Sequence, residues 1–262
     1  ETLESALRKE VLHLYDNAAE LILHGLNLHR HEIFGTDNIA ETVRKSRTAS
    51  DVSIEEDYER RIKTLYSAIF EFTTRAGDKG LPPEISDRVY DLRDVASKLV
   101  QAVKSVKHLR KNVLRYTLQP QGAVTELYDD LRTEIARILA AIQKFGVEDP
   151  EERSSLWLDQ ELAQIEADAQ KTSRRIDVLI RTSDLKPDAA TSFLNDSAYA
   201  YGAMRQLIEA ARIYYSERDS ALSEVEQLLS LDDAEFRDEE VGSEAAEDKK
   251  NERSHLSVAE TR

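Results

Sequence analysis

Residues 7–28, LRKEVLHLYDNAAELILHGLNL, decide the fold class. Leu7, Val11, Leu14, Ala18, Leu21, Gly25 and Leu28 recur in alternating steps of four and three. That spacing lines them up on one stripe of an α-helix, so a helix is predicted from about Thr2 to Leu28. A polar stretch follows from about His29 to Val52, with GTDN at 35–38 and SRTASD at 46–51. It reads as a loop with at most a short helical turn.

The same periodicity returns five more times. Ser53-Ile-Glu-Glu resembles a capping box and starts a second helix with the stripe Tyr58, Ile62, Leu65, Ile69 and Phe72. It stops at Gly77–Gly80. Pro82-Pro83 opens a third, because the first helical turn has no partner for the N–H that proline lacks. Its stripe is Ile85, Val89, Leu92, Ala96, Leu99, Val103, Val106 and Val113; Arg110 interrupts it, as a core end or a paired charge. Gln119-Pro120-Gln121-Gly122 breaks the chain. A fourth helix carries Val124, Tyr128, Leu131, Ile135, Ile138 and Ile142, and ends at Gly146. Pro150 opens a fifth with Leu158, Leu162, Ile165, Ala169, Ile176 and Leu179. Pro187 opens a sixth with Leu194, Ser197, Tyr201, Met204, Ile208, Ala211, Tyr215, Leu222, Val225 and Leu229.

The predicted fold class is therefore all-α. Short connections favour antiparallel neighbours, which gives two consecutive three-helix bundles, residues 1–119 and 120–230. Residues 231–262 hold 11 acidic and 5 basic residues with few apolar ones, and are predicted as a disordered acidic tail. A single long coiled coil is disfavoured by the proline punctuation.

Composition limits the function. The 262 residues include no cysteine, which excludes disulfides, thiolate metal sites and cysteine nucleophiles. The formal charge of -15 argues against a nucleic-acid partner, which would need a basic face. No stretch approaches the length and apolarity of a membrane span. The chain begins at Glu1 with a helix pattern starting at once, which reads as a piece of a longer protein.

Three groups of residues could carry chemistry. His24, His29 and His31 cluster near Glu20 and Glu32 and could ligate Zn²⁺ or iron, although surface histidines explain them as well. Carboxylates four residues apart, Asp16/Glu20, Asp87/Asp91 and Glu126/Asp130, lie on one helix face each and could grip a hard cation; a solvated charged face is the plainer reading. The third group is Thr191–Ser197. It sets Ser192, Asn195 and Asp196 beside an apolar stripe, where poor helix formers would be costly if buried unpaired. The expectation is a polar site facing the second bundle's interior, with Asp168 opposite, holding a divalent cation through oxygen ligands. The alternative is that Ser192 caps a restarting helix while Asn195 and Asp196 satisfy backbone N–H groups. No P-loop, Gly-x-Ser-x-Gly elbow or His-Glu-x-x-His helix is present, so no enzyme is expected.

The two-triplet helix order resembles the PhoU family of phosphate regulators. Asp57-Tyr-Glu-Arg-Arg-Ile-Lys-Thr-Leu-Tyr-Ser-Ala-Ile69, then Leu81-Pro-Pro-Glu-Ile-Ser, looks like the PhoU-like cytoplasmic domain of bacterial sodium/phosphate cotransporters. So do Ala190-Thr-Ser-Phe-Leu-Asn-Asp-Ser-Ala-Tyr199 before Gln206-Leu-Ile, and the opening helix from Val11 to Leu28. The likeness covers residues 1 to about 225. It implies a regulatory domain on the cytoplasmic side of the inner membrane. Its implied partner is its own or a partner transmembrane phosphate-transporter domain, and a homodimer is a further expectation. The family's metal clusters use Glu/Asp-x-x-x-Asp motifs. This chain departs from them, reading Lys107-His-Leu-Arg-Lys111 in the third helix and Ser192-Phe-Leu-Asn-Asp196 in the sixth. A free-standing phosphate-signalling adaptor and a helical scaffold unrelated to phosphate are the competing readings.

Overall fold

A computed structural model describes residues 2–215, except 50, 51, 78, 79, 121, 150–153 and 155. The expected tail, and the far end of the sixth stripe at Leu222, Val225 and Leu229, lie outside the described residues. Among the described residues every regular element is helical.

Helix α1 runs Leu3–Gly25, capped by Thr2, whose Oγ1 accepts from the Ser5 N–H at 3.2 Å. All seven stripe residues from Leu7 to Leu28 are buried. The polar stretch is more ordered than its composition suggests. It holds α2 (Arg30–Phe34) and α3 (Ile39–Lys45), and Asn38 caps α3 through the Glu41 N–H at 3.2 Å. Ile33 and Val43 turn inward and are buried, so each short helix has an apolar anchor.

Ser53 caps α4 (Ile54–Asp57) as expected, accepting from the Glu56 N–H at 3.5 Å. The helix then passes through a π-helical stretch, Tyr58–Lys63, into α5 (Thr64–Gly77). A π turn takes up one residue more than an α turn. Beyond it the buried stripe runs Ile69, Thr73 and Ala76. Phe72, expected in the core, is 43% exposed, and Leu65 is half-buried.

Helices α6 (Pro83–Thr117) and α9 (Pro187–Tyr214) each begin on a proline, as the sequence predicts. Between them lie α7 (Ala123–Val147) and α8 (Leu156–Arg181). The expected break after residue 119 is present. It is a helix break inside a shared core: residues 1–215 form one compact unit, and α6 packs along α9 as well as α1. In α9 the expected stripe residues Ser197, Met204, Ile208 and Ala211 are buried, but the buried face is broader than the stripe. Leu194 is 40% exposed, while Phe193, Ala200, Ala203 and Leu207 join Met204 and Ile208 in the core.

Helix α1 crosses α6 closely at Gly25. A Cβ built there would lie 2.7 Å from Val106 Cγ1, a side-chain atom inside the core. Gly25→Ala should therefore cost about 1–3 kcal/mol by overpacking, read as a lower urea midpoint at unchanged slope.

Candidate functional site

Asp196 is the polar residue the sequence placed best. It is 5% exposed, on the face of α9 that meets α6 and α7. Its Oδ2 accepts from the Tyr128 hydroxyl at 2.6 Å and from Asn112 Nδ2 at 2.9 Å. Tyr128 is itself fixed, stacked on Tyr116 at 5.0 Å and edge-on to Phe193 at 5.1 Å. One turn along, His108 stacks on Tyr199 at 4.7 Å. Burial pushes the Asp196 carboxyl above its usual range, and the two hydrogen bonds pull it back in part. Burial and the Asp196 hydrogen bond both push the Tyr128 hydroxyl upward, so it stays a donor.

The other three residues of the expected site point elsewhere. Asn195 is exposed and Ser192 half-buried. Helix α9 runs unbroken from Pro187, so Ser192 is not the cap of a restarting helix. Asp168 lies on α8, held by Lys171 Nζ and Gln164 Nε2 at 2.8 Å each. It faces a cleft of about 270 Å³ between α7, α8 and α9, together with Tyr201. Tyr201 follows Asp196 by five residues, which rotates it by about 140° around an α-helix. The cleft and Asp196 are therefore separate places. Asp196 takes its partners from α6 and α7, where the sequence suggested Asn195, Ser192 and Asp168.

The cleft is bounded by two helices joined across their rims by ion pairs. Arg137 donates to both Glu161 oxygens at 2.8 and 2.7 Å, and Arg175 pairs with Asp130 at 2.5 Å. Inside, the Thr172 and Tyr201 hydroxyls share a hydrogen bond of 2.7 Å. Burial raises the Tyr201 hydroxyl above its usual range.

The paired carboxylates singled out in the sequence meet guanidinium groups. Asp16 pairs with Arg30 at 2.7 Å and Glu20 with Arg61 at 2.6 Å. Glu126 and Asp130 share Arg175, and Asp91 lies 3.9 Å from Arg88. Among the described residues, no group of three or more His, Asp or Glu side chains is arranged to hold a metal ion.

The arginines were the unseen part. Arg132 is fully buried and donates to four carbonyls, of Leu26, Asn27, Val43 and Ser46, and to Asp129 at 2.9 Å. Arg47 shares Asp129 and also reaches the Thr117 carbonyl at 3.1 Å. Arg110 donates to the carbonyls of His24 at 2.9 Å and Val52 at 3.1 Å. The interruption noted in the third stripe is thus a clamp on both ends of the 24–52 segment. Burial pulls the Arg132 guanidinium down to about 10, against the pull of Asp129, which leaves it charged at neutral pH. The sequence held a faint sign of this pair: Asp129 and Arg132 are three apart and flank Tyr128 and Leu131 of the buried stripe.

The described chain is an all-α protein with one apolar core and a buried polar node at the meeting of α6, α7 and α9. No protein family, no curated protein and no solved structure matches it. No described helix is long and apolar enough to cross a membrane.

The Asp196 node gives a sharp expectation. Tyr128 and Asn112 already satisfy Oδ2, so adding EDTA, Mg²⁺ or Zn²⁺ should leave the thermal midpoint of the wild type in place. A shift with ion concentration would restore the cation reading through mass action. Asp196→Ala removes the acceptor of the buried Tyr128 hydroxyl and of the half-buried Asn112 amide, and should cost about 1–3 kcal/mol. Asp196→Asn keeps an acceptor. The folded state raises the Asp196 pKa, so the fold takes up a proton that the unfolded chain has lost. Stability from this group is therefore greatest at acid pH and declines as pH rises past the unfolded carboxylate value of about 3.9. Asp196→Asn should remove that decline and match or exceed the wild type in urea melts at neutral pH.

Proposed function

We propose that this chain is a PhoU-like regulatory domain that acts on a sodium-dependent phosphate symporter. The observation that carries the reading is the helix order. Two successions of three long helical segments, α1, α4–α5 and α6, then α7, α8 and α9, follow one another, and the third of each begins on a proline. The stretches Asp57–Ile69, Leu81–Ser86 and Ala190–Tyr199 carry the resemblance; they lie in the α4–α5 run, at the start of α6 and within α9. A surface feature suits a protein partner. Phe70 and Tyr90, 48% and 62% exposed, flank Arg93, whose guanidinium lies over both rings at 5.5 and 5.1 Å. Aromatic residues and arginine are the side chains that dominate contact energy at interfaces.

On this reading the domain works on the cytoplasmic side of the inner membrane, against its own or a partner transmembrane domain. The test is sodium-driven uptake of radiolabelled phosphate by cells producing such a symporter with and without this chain. A change in uptake, together with co-purification of chain and symporter, is the expected result. Equal uptake and no association would leave the scaffold reading in its place. Phe70→Ala with Tyr90→Ala should weaken the association while leaving the thermal midpoint almost unchanged, because both rings are largely exposed.

A further inference from the structure

Helix α1 ends at Gly25, and the chain turns sharply through Asn27, which has a left-handed φ of 58°. The turn folds α2 back so that three imidazoles stand in a row. The His24 and His29 ring centroids are 5.7 Å apart, and those of His29 and His31 are 5.8 Å apart. His24 closes the last turn of α1, His29 is the N-cap residue of α2, and His31 lies within α2. At the inner end of the row, His24 Nδ1 is buried and has no hydrogen-bond partner. At the outer end, His31 is exposed.

We infer that this row is an acid-sensitive latch: protonation of the imidazoles loosens α2 and α3 from α7 and opens the apolar surface beneath them. The argument is geometric and electrostatic. A neutral His24 can leave Nδ1 unprotonated and unpaired. A charged one must carry an N–H on that buried atom, with no acceptor there. Neighbouring imidazolium rings in contact also repel one another. The carboxylates that bear on His24 are already engaged. Around the corner, Asp16 is paired with Arg30, Glu20 with Arg61 and Asp57 with Arg60. Glu32 lies within α2 itself, and Arg110 of α6 adds a positive charge at the His24 carbonyl. Burial lowers the His24 pKa, Glu20 opposes this, and His29 adds to it. The sign follows. The fold favours neutral His24, so its stability is full above the unfolded histidine value of about 6.5 and is lost as pH falls below it.

What the latch holds is specific. Helices α2 and α3 lie on α7 and bury Ile33 and Val43. The arginine clamps on this segment keep their charge in the same range, so they oppose the opening at either pH and acid only shifts its equilibrium. An open corner would uncover apolar surface of α7, giving the protein a contact face that depends on pH. This inference is independent of the phosphate reading and would survive its failure.

The test is amide hydrogen exchange on the full chain at about pH 7.5 and about pH 5.5, corrected for intrinsic rates, in the range where only histidine changes charge among unperturbed side chains. Residues Leu26–Ser46 of the wild type should exchange several-fold faster at the lower pH, while α9 changes little. His24→Gln should abolish the difference, and His108→Gln, which alters a histidine elsewhere, should keep it. Should His24→Gln fold poorly, His31→Gln at the exposed end of the row should still reduce the response. Equal protection of Leu26–Ser46 at both pH values overturns the latch. So does an acid response that His24→Gln and His31→Gln both leave intact.

Discussion

Replacing Arg132 by methionine should remove about 3–5 kcal/mol of stability, which is much of the ~5–15 kcal/mol that a domain of this kind possesses. The guanidinium is fully buried on α7 and donates to the carbonyls of Leu26, Asn27, Val43 and Ser46 at once. Methionine fills a similar length of cavity but donates nothing. Four carbonyls lose a donor, although Asn27 keeps the Ser46 hydroxyl and Val43 the Ser46 N–H, and Asp129 keeps Arg47 as an ionic partner. A buried group left unsatisfied costs its full desolvation, which is why breaking such a pair is worse than never having it. The measurement is urea unfolding followed by circular dichroism, with amide exchange to show that α2 and α3 fray first. The double variant Arg132→Met with Asp129→Leu should recover part of the loss, since the orphaned carboxylate goes too. A loss below about 1 kcal/mol would show that the carbonyls are satisfied without Arg132.

The second large effect separates two positions that the heptad reading treats alike. Ile135 and Phe72 both fall on predicted apolar stripes. In the fold Ile135 on α7 is fully buried, while Phe72 on α5 is 43% exposed. Ile135→Asp places a carboxylate in the core with no cation within the apolar stripe to receive it. The cost is several kcal/mol, comparable with the whole stability, and the protein should lose its cooperative thermal transition. Phe72→Asp changes a side chain in contact with water and should shift stability by only about 0.5 kcal/mol. Thermal melts of the two variants side by side decide the matter. Similar behaviour in both would mean that the face of α5 assigned to the core is wrong.

The contrast shows where periodicity ceases to be informative. In and just after α1, all seven positions read from the sequence are buried, because the helix is regular and its spacing never drifts. In α5 the π-helical stretch at Tyr58–Lys63 precedes the point of failure, and nothing in the composition of YERRIK marks a π turn. In α9 the stripe takes in Ser197, Met204, Ile208 and Ala211, which are buried, but misses Phe193, Ala200, Ala203 and Leu207. That helix meets α6, α7 and α8 at once, so it is buried on a broad face in which Ala200 and Ala203 carry as little signal as their exposed neighbour Ala198. Asp196 was legible as a polar residue at an apolar face. Its partners were not, since Asn112 and Tyr128 are 84 and 68 residues away.

The sequence by itself determined that the chain is all-α, where most of its long helices begin, and that Asp196 needs a polar partner. Those properties depend on residues within a few turns of one another: apolar spacing, Ser53 as a cap, prolines at first-turn positions, and glycines where helices stop. Only the tertiary structure decided that the two triplets share a core, that the polar 29–52 stretch is clamped by Arg132, Arg47 and Arg110, and that three histidines meet at one corner. The reason is physical. A hydrogen bond from Arg132 to Leu26 spans 106 residues, and a guanidinium that looks solvated in a helix pattern becomes buried only when a distant backbone arrives with carbonyls to receive it.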